Sequence, residues 1–176
     1  MPQEIEEGDL IFTFEGDARV EKFDEEQTHG MNHYERGMKR VDFVVTFPNV
    51  TWFIEVKDPE NTNIPLAHKS IQKAAFRKKM RSGTLYRNEL APKFKDSLIY
   101  LTLANRAPLA KIKYLCCIGL EKLDSAMLLN MQDRMRKLCF LPGPHRKEWV
   151  SNFDVVVFNL SSWNRLLERS SVRRKS

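Results

Sequence analysis

The hydrophobic and polar positions of this chain predict six strands and four helices. Four strands come first, two helices follow, and the rest of the chain alternates strand, helix, strand, helix. Alternation of polar and apolar residues, or a continuous apolar run, marks each strand, and apolar positions three to four residues apart mark each helix. The predicted strands span residues 9–14, 18–23, 41–47, 50–57, 111–120 and 153–160. The predicted helices span residues 65–81, 91–105, 124–140 and 161–171. This order predicts an α/β fold with a mixed central β-sheet flanked by helices. Because helical crossovers are right-handed, the strand at 111–120 should run parallel to that at 50–57.

The hairpin at residues 41–58 carries an unusual pair of charges. Val41, Phe43, Val45 and Phe47 are predicted to share one face of the first strand. If the hairpin is symmetric about Pro48–Asn49, Val44 faces Phe53 on the opposite face and Asp42 faces Glu55. Two carboxylates roughly 5 Å apart across a ladder repel each other, so a positive charge should lie between them. We expect both to be partly accessible from one concave surface.

A divalent cation would meet that need, because Mg²⁺ binds carboxylate oxygens and completes its shell with water and phosphate oxygens. Lys57 lies two residues after Glu55 and therefore projects from the same face of the strand. Asp42 followed by Glu55-Val56-Lys57 resembles the signature of the PD-(D/E)xK nuclease superfamily, with Val41 where the family name has proline. The alternative is an ordinary hairpin whose charges reach solvent.

The resemblance implies a restriction-endonuclease-like core, here with an added C-terminal α-β-α extension. It implies hydrolysis of DNA with Mg²⁺ or Mn²⁺ held by Asp42 and Glu55, and with Lys57 as a third catalytic residue. Members of the superfamily usually have a helix before the first strand that brings another glutamate to the metal, and here such a helix is short or missing. The glutamates that could substitute for it are Glu4, Glu6, Glu7, Glu25 and Glu26. His29 and His33 lack the glutamate of an H-E-x-x-H metal site and are interpreted as loop residues.

The charges of the chain are unevenly distributed. Residues 1–35 contain 11 acidic residues against two basic ones, whereas residues 69–95 contain nine basic residues and one acid, Glu89. A basic stretch of this kind is typical of a phosphate-binding surface, although a solvated helix face would look the same. Gln72 and Phe76 resemble, weakly, the Gln-x-x-x-Tyr element of RecB-like nucleases. The residues predicted to contact nucleic acid are Lys69, Gln72, Lys73, Arg77 and Lys78.

Length and composition predict a single domain over residues 1–170 and a loose basic tail at 171–176. Three cysteines without C-x-x-C spacing indicate neither a disulfide framework nor a zinc site, and they are interpreted as buried apolar residues. The methionines at 127, 131 and 135 mark an apolar helix stripe that is either core or the face of a homodimer. With no apolar run near the length of a membrane span and an acidic N-terminus, we expect a cytoplasmic protein that does not contact membranes.

Three functions therefore compete. The leading hypothesis is a metal-dependent DNA nuclease. The second is a non-catalytic nucleic-acid-binding or assembly subunit with a nuclease-like fold, which the missing helix glutamate favours. The third is a protein-binding module whose acidic N-terminal third docks on a basic partner.

Overall fold

The computed structural model describes residues 2–24, 38–108, 111–139 and 153–175. These residues form two β-sheets and several helices, so the predicted α/β class is confirmed at that level. The strands are β1 (Gln3–Glu7), β2 (Leu10–Phe14), β3 (Arg19–Lys22), β4 (Phe43–Phe47), β5 (Val50–Lys57), β6 (Lys111–Ile118), β7 (Phe153–Asn159) and β8 (Ser170–Arg174). The helices are α1 (Leu66–Ser82), α2 (Ala91–Leu103), α3 (Ser125–Cys139) and α4 (Leu160–Leu166), and a π-helix covers Leu85–Leu90.

The larger sheet has the order β3-β4-β5-β6-β7. Its first three strands are antiparallel neighbours, whereas β5, β6 and β7 run parallel to one another. The predicted parallel pairing of the strands near residues 50–57 and 111–120 is confirmed. Within the described ranges, no helix is long and apolar enough to cross a membrane.

Two hydrophobic cores lie on opposite faces of the larger sheet. One core joins the sheet to α2 and α3 and includes Phe53, Phe94 and Met131. The other joins the sheet to β2, α4 and β8 and includes Phe12, Ile54 and Trp163. Alternate residues of β4 and β5 enter alternate cores, as the period of a strand requires. The arrangement is a layer of helices, the five-stranded sheet, and a layer made by the smaller sheet with α4.

The smaller sheet, β1-β2-β8, corrects two predictions. Residues before Gly8 form an unpredicted strand, β1, that pairs with β2, so of the two predicted options, a short helix or none before the first strand, the described residues before Gly8 show none. The predicted terminal helix ends early at Leu166, and residues 171–174 of the predicted basic tail belong to β8, which pairs with β2. Both strands are polar because they lie at the edges of the sheet, where charged side chains are common.

Two further apolar predictions have mixed outcomes. Val41 packs in the core with Phe53 rather than with Phe43 and Val45, because Asp42 interrupts the strand and β4 begins only at Phe43. Met131 and Met135 are buried, which confirms the core interpretation of their stripe, whereas Met127 remains half exposed.

Helix α1 and the π-helix after it differ in burial. No residue of α1 is buried, and the helix ends at Gly83, whose φ of 77° places it in the left-handed region that favours glycine. The π-helix buries Leu85, Tyr86 and Leu90 and continues directly into α2. The Tyr114 hydroxyl donates a hydrogen bond of 2.8 Å to the carbonyl of Leu90, which fixes the junction from which α2 starts.

Candidate active site

The predicted hairpin register is confirmed over β4 and β5, where Val44 pairs with Phe53 and Phe43 with Ile54. Asp42 lies just before this ladder, and its carboxylate is near that of Glu55 because both contact Lys93 Nζ. The backbone N–H of Val56 donates to Asp42 Oδ2 at 2.6 Å and holds the carboxylate over the end of β5. The expected accessibility is wrong, however, because Glu55 is fully buried and Asp42 is only 5% exposed. The cause is α2, which covers this end of the hairpin.

Lys93 of α2 supplies the positive charge between the two carboxylates. Its Nζ lies 3.0 Å from Asp42 Oδ1 and 2.8 Å from Glu55 Oε1. Lys57 Nζ lies 3.0 Å from the same Glu55 oxygen, so the predicted projection of Lys57 toward Glu55 is confirmed. Glu55 Oε1 therefore faces both ammonium groups, whereas Glu55 Oε2 has no hydrogen-bond donor among the described residues. Glu55 is thus a buried carboxylate with unused ligand capacity.

The two ammonium groups do not balance the acidic groups at this place. Burial and the charge of Asp42 raise the pKa of Glu55 to about 8, although Lys57 and Lys93 act in the opposite direction. Burial lowers the pKa of Lys93, but the charges of Glu55 and Asp42 outweigh that effect and raise it. The cluster therefore favours bound positive charge, as either protons or cations.

Two further carboxyl groups lie close enough to Asp42 to be affected by its charge. The backbone N–H of Phe23 donates to the Asp42 carbonyl at 2.7 Å, which extends the pairing of β3 with β4 and brings Asp24 alongside. Burial and Asp42 raise the pKa of Asp24 to about 6. The same two causes raise the pKa of Glu7, despite an ion pair with Lys22 at 3.7 Å.

Glu7 is the only one of the proposed upstream glutamates for which the structure describes an interaction with the site. Glu6 pairs instead with Lys175 at 2.6 Å, and Glu4 accepts a hydrogen bond from Thr13 at 3.2 Å. Glu25 and Glu26, together with His29 and His33, lie outside the described residues.

Glu89 connects the site to the basic helix. It lies in the π-helix, with one carboxylate oxygen 4.0 Å from Lys57 Nζ and the other 2.7 Å from Lys79 Nζ of α1. A π-helix widens the turn and changes the direction of its side chains, and such segments are frequent at functional sites. The strand lysine and the basic helix therefore share one acidic partner.

The predicted nucleic-acid-binding residues all lie on α1, and none of them is buried. Lys73 is tied to the body of the protein by an ion pair of 2.7 Å with Glu60. Gln72 is exposed, whereas Phe76 is partly buried against the helical core, as expected of an anchor. The remaining predicted contacts are Lys69, Arg77 and Lys78, on the same helix.

The donor set fits a hard divalent cation only in part. Within the described residues, no group of three or more His, Cys, Asp or Glu side chains is arranged to hold a metal ion. Two carboxylates are nevertheless sufficient for Mg²⁺ when water and substrate phosphate complete its shell. Two features agree with such a site: Glu55 has an oxygen without a donor among the described residues, and the ligand atoms that Asp42 and Glu55 offer are all oxygens. Lys93, which now stands between the carboxylates, would have to move.

The cysteines play no part in this chemistry. Cys116, Cys117 and Cys139 are buried and unpaired by disulfides, as predicted. Burial raises the pKa of the Cys139 thiol to about 12, so it stays protonated and unreactive near neutral pH.

Sequence reasoning did not find Lys93, Asp24 or Glu89. Glu89 lies just before the predicted helix at residues 91–105 and Lys93 lies in its first turn, so the predicted elements gave no reason to bring these two charges together. The packing of α2 over the hairpin, which directs Lys93 to Asp42, depends on contacts distant in sequence and leaves no local pattern.

Comparison of the chain with protein-family models, with curated proteins and with solved structures finds no significant match. The resemblance to the PD-(D/E)xK superfamily therefore depends on Asp42, Glu55, Lys57 and their setting alone.

Proposed function

We propose that the protein is a divalent-metal-dependent nuclease that hydrolyses phosphodiester bonds in DNA. The observation that carries this proposal is the proximity of the Asp42 and Glu55 carboxylates at the end of the β4–β5 hairpin, with a buried, incompletely satisfied Glu55 and with Lys57 beside it. A structural ion pair needs no spare carboxylate oxygen, whereas a cation site does. Perturbed carboxyl groups of this kind are typical of functional sites.

The order of elements supports the proposal. An antiparallel hairpin bears the carboxylates, helices follow it, and β6 returns parallel to β5. That is the order expected of a restriction-endonuclease-like core, and α3, β7 and α4 would form the C-terminal extension. Because a fold can serve many functions, the chemistry of the site carries more weight than the topology.

Each residue of the site has a role in this proposal. Mg²⁺ or Mn²⁺ held by Asp42 and Glu55 would neutralise charge on the scissile phosphate and acidify a water molecule. Lys57, whose ammonium group lies beside Glu55, would orient that water and offset charge that develops on the phosphate oxygens. Glu89 holds Lys57 from the other side and limits its motion.

The basic helix α1 would bind the DNA backbone. Its cationic side chains include Lys69, Lys73, Arg77 and Lys78, and they lie on a helix that has no buried residue, although Phe76 and Met80 pack in part against the helical core. Contacts to phosphate fix the position of a duplex but do not read its sequence. We therefore propose binding that is sensitive to salt and tolerant of sequence.

A non-catalytic nucleic-acid-binding or assembly subunit is the second candidate. Lys93 favours it, because an ammonium group between Asp42 and Glu55 compensates the pair without any metal. In this alternative, α1 still binds nucleic acid and the carboxylates only hold α2 against the hairpin.

Cleavage assays separate the two candidates. Purified wild-type protein would be incubated with plasmid and with linear single-stranded DNA in Mg²⁺, in Mn²⁺ and in EDTA. The proposal expects cleavage in a metal ion, none in EDTA, and a fall of several orders of magnitude in Asp42→Asn and Lys57→Ala. Asp133→Asn, which changes an exposed carboxylate on α3, is the matched control and should cleave normally. Salt-sensitive DNA binding without cleavage under every condition would support the second candidate.

A further inference from the structure

Lys93 stands where a cation shared by Asp42 and Glu55 would bind. It contacts one oxygen of each carboxylate, whereas Lys57 contacts Glu55 alone. The side chain of Lys93 reaches from α2 into the site and is 19% exposed. The ammonium group and a divalent cation cannot share this space, because like charges at such short range repel strongly.

The two lysines differ in what they can do when a cation arrives. Lys57 retains Glu89 as an acidic partner on its other side. Lys93 has ion pairs only with Asp42 and Glu55 among the described residues. A lysine has a flexible four-carbon stem and strongly prefers an anionic partner or water, so a displaced Lys93 moves toward another anion. Glu7 and Asp24 lie close enough to be affected by its charge and would compete for it. The phosphate of a bound nucleic acid is the anion that the proposed function would bring to this place.

We propose that Lys93 is an internal counter-ion that a divalent metal ion must displace, and that the displaced ammonium group then binds the substrate phosphate. This inference rests on the proposed metal site and adds a regulation to it. Metal and phosphodiester bind cooperatively. The metal ion displaces Lys93 and so frees its ammonium group for the phosphate, and the phosphate gives the displaced ammonium group a partner. Without DNA, Lys93 keeps the metal affinity low.

A metal titration of the melting temperature tests the first half of this proposal. Wild type, Lys93→Met and Lys95→Met would be melted in increasing Mg²⁺ or Mn²⁺. Lys95 is a matched control, because it lies on the same helix and forms no ion pair with either carboxylate among the described residues. We expect Lys93→Met to melt at a lower temperature than wild type without metal. We expect its half-saturating metal concentration to be lower by about tenfold or more, with Lys95→Met like wild type.

DNA tests the second half. In a Lys57→Ala background, chosen to prevent cleavage, a short DNA duplex should lower the half-saturating Mg²⁺ concentration by about tenfold. In Lys57→Ala/Lys93→Met the duplex should have little such effect, because no ammonium group is left to transfer. If Lys93→Met does not fold without metal, Lys93→Gln replaces it, since a neutral amide can still donate to both carboxylates.

The outcomes distinguish this inference from the proposed function. If Mg²⁺ and Mn²⁺ raise the melting temperatures of wild type and Lys93→Met at the same concentrations, the counter-ion role of Lys93 is wrong and the metal site stands. If neither ion changes the melting temperature of any variant, with or without DNA, both the inference and the metal site are wrong.

Discussion

Two clusters of buried charged residues lie at the end of β5, one around Glu55 and the other around Asp58, three residues later. They differ in how fully their hydrogen-bonding groups have partners. At one, Asp42 and Glu55 share Lys93, and Glu55 Oε2 has no donor among the described residues. At the other, Arg174 of β8 binds both Asp9 and Asp58. We call these clusters the Lys93 cluster and the Arg174 cluster. Each contains two carboxylates bridged by one cation, but Lys57 also contacts Glu55 in the Lys93 cluster, so the clusters differ both in their cations and in geometry.

The Arg174 cluster uses nearly all of its hydrogen-bonding capacity. Arg174 Nη1 and Nη2 donate to the two oxygens of Asp58 at 2.8 and 2.9 Å, and Nη1 also donates to both oxygens of Asp9 at 3.0 Å. The backbone N–H of Thr62 donates to Asp9 as well, at 2.8 Å. Burial acts to raise the pKa of Asp9, but these hydrogen bonds and Arg174 outweigh it and hold the pKa well below its ordinary value.

The comparison indicates which cluster is structural. A planar guanidinium group matches two carboxylates at once, whereas a lysine offers one compact charge that leaves oxygens unused. The Arg174 cluster fastens β8 and the loop after β5 to β2. The Lys93 cluster retains a free ligand atom, which is the property that a metal site needs.

Removal of Arg174 should have the largest effect on stability. Arg174→Met leaves the buried Asp9 and Asp58 without a cation, and we expect a loss of about 3 kcal/mol in the free energy of unfolding. Urea unfolding followed by circular dichroism measures it. Arg173→Met is the control, because Arg173 is 58% exposed and its contact with Glu4 is 3.6 Å long; it should change stability by less than about 0.5 kcal/mol. Equal effects of the two changes would show that the Arg174 cluster is not structural.

Neutralising one carboxylate in each cluster should change the free energy of unfolding in opposite directions. Asp58→Asn weakens two charge-assisted hydrogen bonds from Arg174, and we expect a loss of about 2 kcal/mol. Glu55→Gln removes a repulsion with Asp42 that exists only when Glu55 is ionised, so above about pH 8 the metal-free protein should gain on the order of 1 kcal/mol. The same unfolding experiment, in EDTA, measures both. A loss of stability in Glu55→Gln as large as that in Asp58→Asn would place Glu55 in a structural role.

Between about pH 5 and 8, the pH dependence of stability should be determined by the protonation of carboxyl groups in and beside the Lys93 cluster. Burial and Asp42 raise the pKa of Glu55 from 4.5 to about 8, so the folded chain binds this proton more strongly than the unfolded chain. Its contribution to stability is full below about pH 4.5 and is lost as the pH rises through about 8. Asp24, with a pKa raised to about 6, acts in the same direction.

We therefore expect the metal-free protein to lose stability between about pH 5 and 8, with a limiting slope of about 1.4 kcal/mol per pH unit for each proton. Urea unfolding at several pH values in EDTA measures the slope. Glu55→Gln should reduce it, because that residue no longer titrates. Asp9 of the Arg174 cluster acts in the opposite direction, since its lowered pKa makes its contribution disappear only as the pH falls below the ordinary range of an aspartate. Asp58 of the same cluster acts in the same direction as Glu55, because burial raises its pKa. A slope unchanged in Glu55→Gln would contradict the assignment.

The basic helix should contribute least to stability and most to DNA binding. Because α1 buries no residue, alanine at Lys73, Arg77 and Lys78 together should change the free energy of unfolding by less than about 0.5 kcal/mol. The same variant should weaken DNA binding about equally for all sequences and reduce the slope of log affinity against log salt by roughly 0.9 per lost phosphate contact. Fluorescence anisotropy at several salt concentrations measures this slope, and an unchanged slope would leave α1 as a solvated face.

The hairpin could be predicted from the sequence because a strand has a strict period of two. With Pro48–Asn49 at the turn, this period predicted that Val44 pairs with Phe53, and the structure has that register. Asp42 lies just before the ladder, with its carboxylate near that of Glu55. The need for a positive charge between them followed from repulsion alone. Its source did not, because Lys93 comes from a helix that begins more than 30 residues after β5.

Strand β8 shows a second reason for a missed element. Among residues 170–174 only Val172 is apolar, so the segment has too little hydrophobic pattern to be distinguished from a charged tail. It is a strand because β2 offers an open edge and because Arg174 meets two buried carboxylates there. The residues responsible, in β2 and at Asp9 and Asp58, lie more than 100 residues away in the chain, so the local sequence gives no sign of them.

Metal binding by the Lys93 cluster tests the central claim most directly. Equilibrium binding of Mn²⁺, followed by the loss of its free-ion electron paramagnetic resonance signal, would be measured for wild type, Glu55→Gln and Asp58→Asn at a temperature at which all three are folded. We predict that wild type and Asp58→Asn bind Mn²⁺ and that Glu55→Gln loses this binding, because only the Lys93 cluster has a free carboxylate oxygen. If wild type binds no Mn²⁺ even with DNA present, or if Glu55→Gln binds it as wild type does, the carboxylate pair is not a metal site.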